Sequence, residues 1–238
     1  MSVVDPIVRV AEYCRRHGFA ATLSRAGTAA KRSLFASRMV VFYCSLDDRR
    51  LSQTNPSQAG KVRRLTSLAE LAPEYFQQIT EFWNQKLASK NISERFAKGA
   101  SLWLVECEGR LAGYGWTLQG STIEPYYFPL ANSDIHFFDF HVFPQYRGRG
   151  LNPFLVCHIL SELASPHGGR AFIEAAEWNT AQLASLQRTP FHRFGLVRSF
   201  KMFGHACVWW IEKQPFPTAK DCVDSTKQSL RMAGSSDS

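Results

Sequence analysis

Gly148 and Gly150 stand two apart in Gln145-Tyr146-Arg147-Gly148-Arg149-Gly150-Leu151-Asn152, between an apolar run at 137–143 and a helix-like stretch at 153–163. A strand that ends in such a turn and then opens a helix leaves several backbone N–H groups unpaired and converging on one concavity, which suits an anion. Neither glycine has a Cβ to hold a diphosphate off the backbone, and Arg147 and Arg149 supply positive charge. The spacing is that of neither the dinucleotide G-x-G-x-x-G nor the Walker-type G-x-x-x-x-G-K-[ST] loop. A solvated turn between a strand and a helix would also tolerate Gly-Arg-Gly, so the flanking residues decide between the two.

Those residues, Val142-Phe143-Pro144-Gln145-Tyr146-Arg147-Gly148-Arg149-Gly150-Leu151, resemble the V-x-P-x-Y-R-G-x-G-I string of the GCN5-related N-acetyltransferase superfamily. Asn152 departs from the small residue common there, and asparagine still suits a helix N-terminus. Asn179 to Leu186, followed by Phe194-Gly195-Leu196, is similar to a second motif of that superfamily. The resemblance covers roughly 61–212. It implies an α/β (α+β) fold, a mixed β-sheet flanked by helices and splayed between its fourth and fifth strands, with acetyl-CoA in the gap. It further implies that Val142 and Phe143 hold the pantetheine through their backbone. Gln145, Arg147, Gly148, Arg149, Gly150, Leu151 and Asn152 would hold the diphosphate, and Asn179 would contact the cofactor from the other side. Many members carry a thiolate-protonating tyrosine where residues 187–193 fall, and none stands there in this chain.

Transfer from a thioester to an amine needs a neutral nucleophile, a polarised carbonyl and an exit for a proton. Strand alternation puts Asp139 and His141 on one face, with Phe138, Phe140 and Val142 on the other, and turns His136 away from His141. A carboxylate and an imidazole in mid-strand are costly to bury unless paired or hydrated, so both are candidate bases. The resemblance favours Asp139, near which many members are acidic, while His141 has the more suitable reference pKa. Asp139 could instead bond a neighbouring backbone or arginine, with His141 a satisfied strand residue. Glu174 either meets the acceptor amine or points to solvent. No third ligand stands in register and no cysteine pair has zinc spacing, so no metal is expected.

Elements must position these groups. Periodicity predicts helices over 3–17 and 21–36, a strand at 39–44, and a strand at 62–65. A helix at 72–89 and another at 92–98 precede a hairpin about Glu108-Gly109. Residues 122–133 read as a loop whose Tyr126-Tyr127-Phe128 would form a lid or wall. A strand at 172–176, a helix at 179–188 and a hairpin turning at Gly204 complete the order. The division is 1–60 as a basic helical extension plus one strand, 61–212 as the acetyltransferase-like domain, and 213–238 as a flexible tail.

The 238 residues are 45% hydrophobic, enough for a substantial core, with a net charge of +8. Residues 1–38 carry seven Arg and Lys against Asp5 and Glu12, a net +5. That segment could be a solvated helical face or could lie on an anionic membrane surface. No nucleic-acid motif accompanies it, so no specific nucleic acid is expected. With neither a secretion pattern nor a spanning run, a cytoplasmic protein is expected. The resemblance thus implies an acetyl-CoA-dependent N-acetyltransferase acting directly on a small-molecule amine, and the aromatic loop and basic extension make an amino sugar of surface polysaccharide the first candidate. A peptide amine, or a non-catalytic acyl-CoA-binding module, is the alternative.

Overall fold

The computed structural model describes residues 38–47, 51, 60–83, 85–123, 126–165, 168–202 and 205–215. The predicted helices at 3–17 and 21–36, the turn at Gly204 and nearly all of the predicted tail lie outside the described residues. The rest forms β1 (Arg38–Ser45), β2 (Lys61–Leu65), α1 (Pro73–Phe82), α2 (Gln85–Ala97), β3 (Ser101–Cys107) and β4 (Arg110–Gln119). Then come β5 (Ile135–Val142), α3 (Leu151–Leu163), β6 (Arg170–Ala176), α4 (Thr180–Leu186), β7 (His192–Met202) and β8 (His205–Lys213).

All eight strands join one sheet in the order β2-β3-β4-β5-β6-β1-β7-β8. β5 and β6 are parallel and every other neighbouring pair is antiparallel. The strand read within the basic extension therefore lies inside the sheet, hydrogen-bonded to β6 on one side and β7 on the other. Its composition suits that place: Val40, Phe42 and Cys44 pack with the core on the α3 side, Val41 and Tyr43 with the core on the opposite side. A strand buried on both faces reads as a continuous apolar run.

One face of the sheet is covered by α3, whose Leu151, Leu155, Val156, Ile159 and Leu160 pack against Phe137, Ile173 and Leu196. The other face is shared. Helices α1 and α2 cover β2 to β5 through Ile79 and Ile92, and Phe128 and Leu130 of the β4–β5 loop pack with the core on β6, β1 and β7.

Two sequence expectations change. The helix read as continuous over 72–89 is broken at Trp83, which is extended (φ −109°, ψ −168°), and its indole Nε1 donates to Tyr114 Oη at 2.7 Å. The tertiary bond outweighs helical propensity there. The final strand pair begins earlier than 197, because β7 starts at His192 and Gly195 lets the backbone of β8 approach closely. A Cβ on Gly195 would lie 2.3 Å from the Glu212 carbonyl oxygen.

Candidate active site

β5 does not alternate as a regular strand would. Tyr114 faces His141 and Trp116 faces Phe138, so Gly115 opposes both Asp139 and Phe140, and Asp139 takes a left-handed φ of 50°. This is a β-bulge. Gly115 makes room for it, since a Cβ there would sit 2.4 Å from the Phe140 ring. Phe140 consequently stacks on Phe137 (6.0 Å between centroids, planes at 7°) on the α3 side. The expected grouping of Phe138 with Phe140 and Val142 is thus corrected: Phe138 packs on the α1–α2 side, where His141 also lies. His136 stacks on Phe138 at 5.2 Å, so it shares that face with His141 instead of facing away.

Asp139 is bound by the Arg95 guanidinium of α2. That guanidinium also lies 5.2 Å from the Trp116 ring and 5.3 Å from the Phe138 ring, a cation held by two π faces and one carboxylate. Nothing in the sequence singles out Arg95, because its partner is 44 residues away and depends on the bulge. A cavity of about 320 Å³ opens beside this pair, lined by Trp83, Asn91, Arg95, Tyr114, Trp116 and Asp139 together with aliphatic residues of α1 and α2.

His141 sits among Phe82, Trp83, Tyr114 and Phe143, with ring centroids 4.5–5.7 Å away. Burial pushes its imidazole below the ordinary histidine value, the Arg147 charge adds to that, and Asp139 opposes it. Its Nε2 is buried without a hydrogen-bond partner. Burial, and then the Asp139 charge, raise the Tyr114 hydroxyl well above its usual value, so it is a neutral phenol.

β5 and β6 pair only from Ile135–Phe137 to Ala171–Ile173. The closed end is clamped by Asp134, 1% exposed, which accepts from Arg170 at 3.0 and 2.7 Å and from the Ala131 amide at 2.9 Å. Beyond Phe137 and Ile173 no pairing joins the two strands. Glu174 is the first residue of β6 past that point. It accepts from Tyr126 Oη at 3.2 Å, and its two oxygens lie 3.2 and 3.0 Å from His136 Nε2.

The turn at the mouth of this gap has the backbone its glycines allow. Gly148 and Gly150 have φ of 78° and 73°, and Gly150 is the N-cap of α3. The first amide to bond back to the cap is that of Phe154, at 3.1 Å to the Gly150 carbonyl, which leaves Leu151 and Asn152 ahead of the helical ladder. Nothing approaches a Cβ position on Gly148 within 4 Å, and the Arg188 guanidinium lies 3.4 Å from that of Gly150. Arg147 Nε donates to the Val142 carbonyl at 3.1 Å, and the Phe143 amide donates to Ala112. Arg149 lies over Tyr146, and Gln145 is exposed on the same turn.

Asn152 Nδ2 donates to Ser185 Oγ at 2.8 Å, tying α3 to α4. Asn179 caps α4, its Oδ1 accepting from the Gln182 amide at 3.2 Å. The aromatic loop walls a pocket of its own, about 410 Å³, lined by Tyr126, Tyr127 and Phe128 with Gly120 to Thr122, and it is also packed on the sheet. Phe128 packs on Phe172, Phe194 and Trp210, and Tyr126 packs on His136. The aromatic wall of the cavity comes instead from Trp83, Tyr114 and Trp116.

Comparison with known proteins agrees with this layout. The family model described as Acetyltransferase (GNAT) family matches residues 65–191, more than half of the chain. No curated protein matches it. Among solved structures, the chain is similar to a tandem GNAT protein from the clavulanic acid biosynthesis pathway at 17% identity and a TM-score of 0.50, over 80% of this chain and 60% of that one. It is also similar to a GNAT-family acetyltransferase from Colwellia psychrerythraea (11%, TM-score 0.48, 75% and 56% covered) and a GCN5-related N-acetyltransferase from Kribbella flavida (13%, 0.43, 78% and 61%). The chain spans about three fifths of the length of these structures. A parted parallel strand pair, a left-handed glycine turn heading the next helix, and a family match across both identify the chain as a member of the acetyltransferase (GNAT) family.

Proposed function

We propose that this protein transfers the acetyl group of acetyl-CoA directly to a primary amine, without a covalent enzyme intermediate. The observation that carries the proposal is the pair of left-handed glycines at the head of α3, set beside the gap between β5 and β6. A diphosphate fits that turn: the amides from Gly148 to Asn152 supply donors, the positive end of the helix faces it, and Arg147, Arg149 and Arg188 supply charge. Gln145 and Asn152 border the turn, Val142 and Phe143 border the pantetheine arm, and Asn179 shapes the opposite lip by capping α4.

The acceptor enters from the α1–α2 side. The cavity offers the exposed aromatic ring of Trp83, and hydrogen-bonding groups on Asn91, Arg95 and Asp139. A six-membered ring that stacks on one face and turns hydroxyls to the other fits this mixture, which supports an amino sugar as acceptor. Asp139, His141 and Glu174 all serve the acceptor side, where the amine must lose a proton. The cytoplasm, where thiols such as those of Cys157 and Cys207 stay reduced, is the compartment of this reading. The basic segment 1–38 would add attraction to an anionic membrane surface.

Thiol release in the presence of acetyl-CoA and a panel of amino sugars, polyamines and peptides tests this directly. Turnover on at least one amine, lost in an Asp139→Asn, His141→Ala double variant, is the expected result. Tight binding of CoA with no turnover on any amine would instead support the non-catalytic module.

A further inference from the structure

Two carboxylates flank the gap between β5 and β6, one on each strand, and their partners differ in kind. Asp139 on β5 is paired with Arg95, whose guanidinium stays protonated across the working pH range. Glu174 on β6 is held by a phenol and an imidazole, Tyr126 from the loop and His136 from β5. Asp139 is thus engaged by a guanidinium, whereas Glu174 is oriented by a phenol and an imidazole and stands on the strand that leaves β5.

His136 is 6% exposed, and its Nδ1 is buried with no hydrogen-bond partner. A carboxylate oxygen accepts, so a neutral His136 ring would place its hydrogen on Nε2 toward Glu174 and leave Nδ1 bare. A buried nitrogen with no partner among the described residues is costly, and an apolar side chain of similar size would avoid that cost. The ring is tied to Glu174 at a cost to the core, and Glu174 stands where β6 leaves β5. Phe138, stacked between His136 and Arg95, separates the two carboxylate systems.

We propose that Glu174, positioned by His136 and Tyr126, takes the proton of the acceptor ammonium, while the Asp139–Arg95 pair, on the other side of Phe138, orients the rest of the acceptor. The proposal rests on the acetyl transfer put forward above. In the step, R–NH3+ gives one proton to the Glu174 carboxylate and the freed lone pair forms the C–N bond. The C–S bond breaks with its electron pair leaving on sulfur. The acetylated nitrogen gives its second proton to the leaving thiolate, and Glu174 releases the first to solvent, which restores the carboxylate. Glu174 is the catalytic residue, with His136 and Tyr126 as positioning residues. The ionisable groups around it are Tyr126 and Tyr127 from the loop, His136 from β5, and Asp139 and Arg95 beyond Phe138.

The test uses the full chain, acetyl-CoA and the best amine of the panel, with kcat and KM measured from pH 5.5 to 9.5 for the wild type, E174Q, H136Q, H136L and D139N. Melting temperature and acetyl-CoA affinity serve as controls. E174Q is expected to lower kcat about 100-fold or more, to leave acetyl-CoA affinity unchanged, and to gain about tenfold in rate per pH unit as the free amine becomes available. H136Q retains a donor toward Glu174 and is expected to keep the wild-type pH profile within about tenfold in rate, whereas H136L behaves like E174Q. D139N is expected to raise KM for the amine and leave the shape of the kcat profile.

An E174Q variant within about threefold of the wild type, with an unchanged pH profile, overturns the proposal while acetyl transfer stands. So does a D139N variant that alone abolishes the low-pH decline in rate. If the wild type acetylates no amine, the functional reading itself fails and the proposal falls with it.

Discussion

Asp139 and His141 were separable from their strand neighbours by residue type, but their shared surroundings depend on one bulge. Once Phe140 swings to the α3 side, His141 falls into a ring of four aromatics and its imidazole is pushed toward the neutral form. The sign of the pH effect follows. A histidine held below its ordinary value of about 6.5 binds fewer protons in the folded state, so the stability it contributes is present above about pH 6.5 and is lost as pH falls through the folded value. The melting temperature is expected to drop from pH 7.5 to 5.5, and His141→Phe should flatten that part of the curve; an unchanged slope would contradict the assignment. At the glycine turn, Gly150→Ala forces a side chain into a left-handed φ of 73° and against Arg188. The expected cost is about 1–2 kcal/mol in stability, with acetyl-CoA affinity weakened at least ~10-fold, read by thermal melting and calorimetry. Phosphate-cradling residues announce themselves in sequence because the backbone demands them. Arg95, His136 and Tyr126 do not, since each acquires its role from a partner tens of residues away.

At the scale of elements, the parted strand pair was legible because the turn, the following helix and β6 each carry local signals. Its geometry was not. The clamp of Asp134 on Arg170 closes one end of β5 and β6, and the bulge at Asp139 bends β5 near the other. Sequence alternation has no means of announcing a bulge except the small residue opposite it, here Gly115. Gly115→Ala should drive a methyl into the Phe140 ring and cost about 1–3 kcal/mol in urea unfolding, with larger losses in turnover because Asp139 is re-aimed. A neutral outcome would mean that Phe140 has another place to go. The break between α1 and α2 escaped for a similar reason: the apolar period runs on through Trp83, yet Trp83 is extended and its indole bonds to Tyr114, 31 residues away.

For the whole molecule, the main revision concerns β1. Its apolar run was readable as a strand, yet nothing local told that it would lie between β6 and β7, more than 120 residues further along the chain. β1 starts beside the C-terminal end of β6, where Arg38 pairs with Glu177 at 3.0 Å. Arg38 therefore stands near the open end of the β5–β6 gap. Truncation before residue 36 should leave a cooperative melt and abolish salt-sensitive binding to anionic vesicles, whereas truncation through residue 46 removes a central strand and should prevent folding, as read by circular dichroism. The central claim is that the amides after β5 grip the diphosphate of coenzyme A, and calorimetric titration of the full chain with acetyl-CoA tests it most directly. Saturable one-to-one binding with a Kd of about 1–100 μM, weakened by Gly150→Ala, is the expected result; a folded protein that gives no binding heat with either acetyl-CoA or CoA, across temperatures, would contradict it.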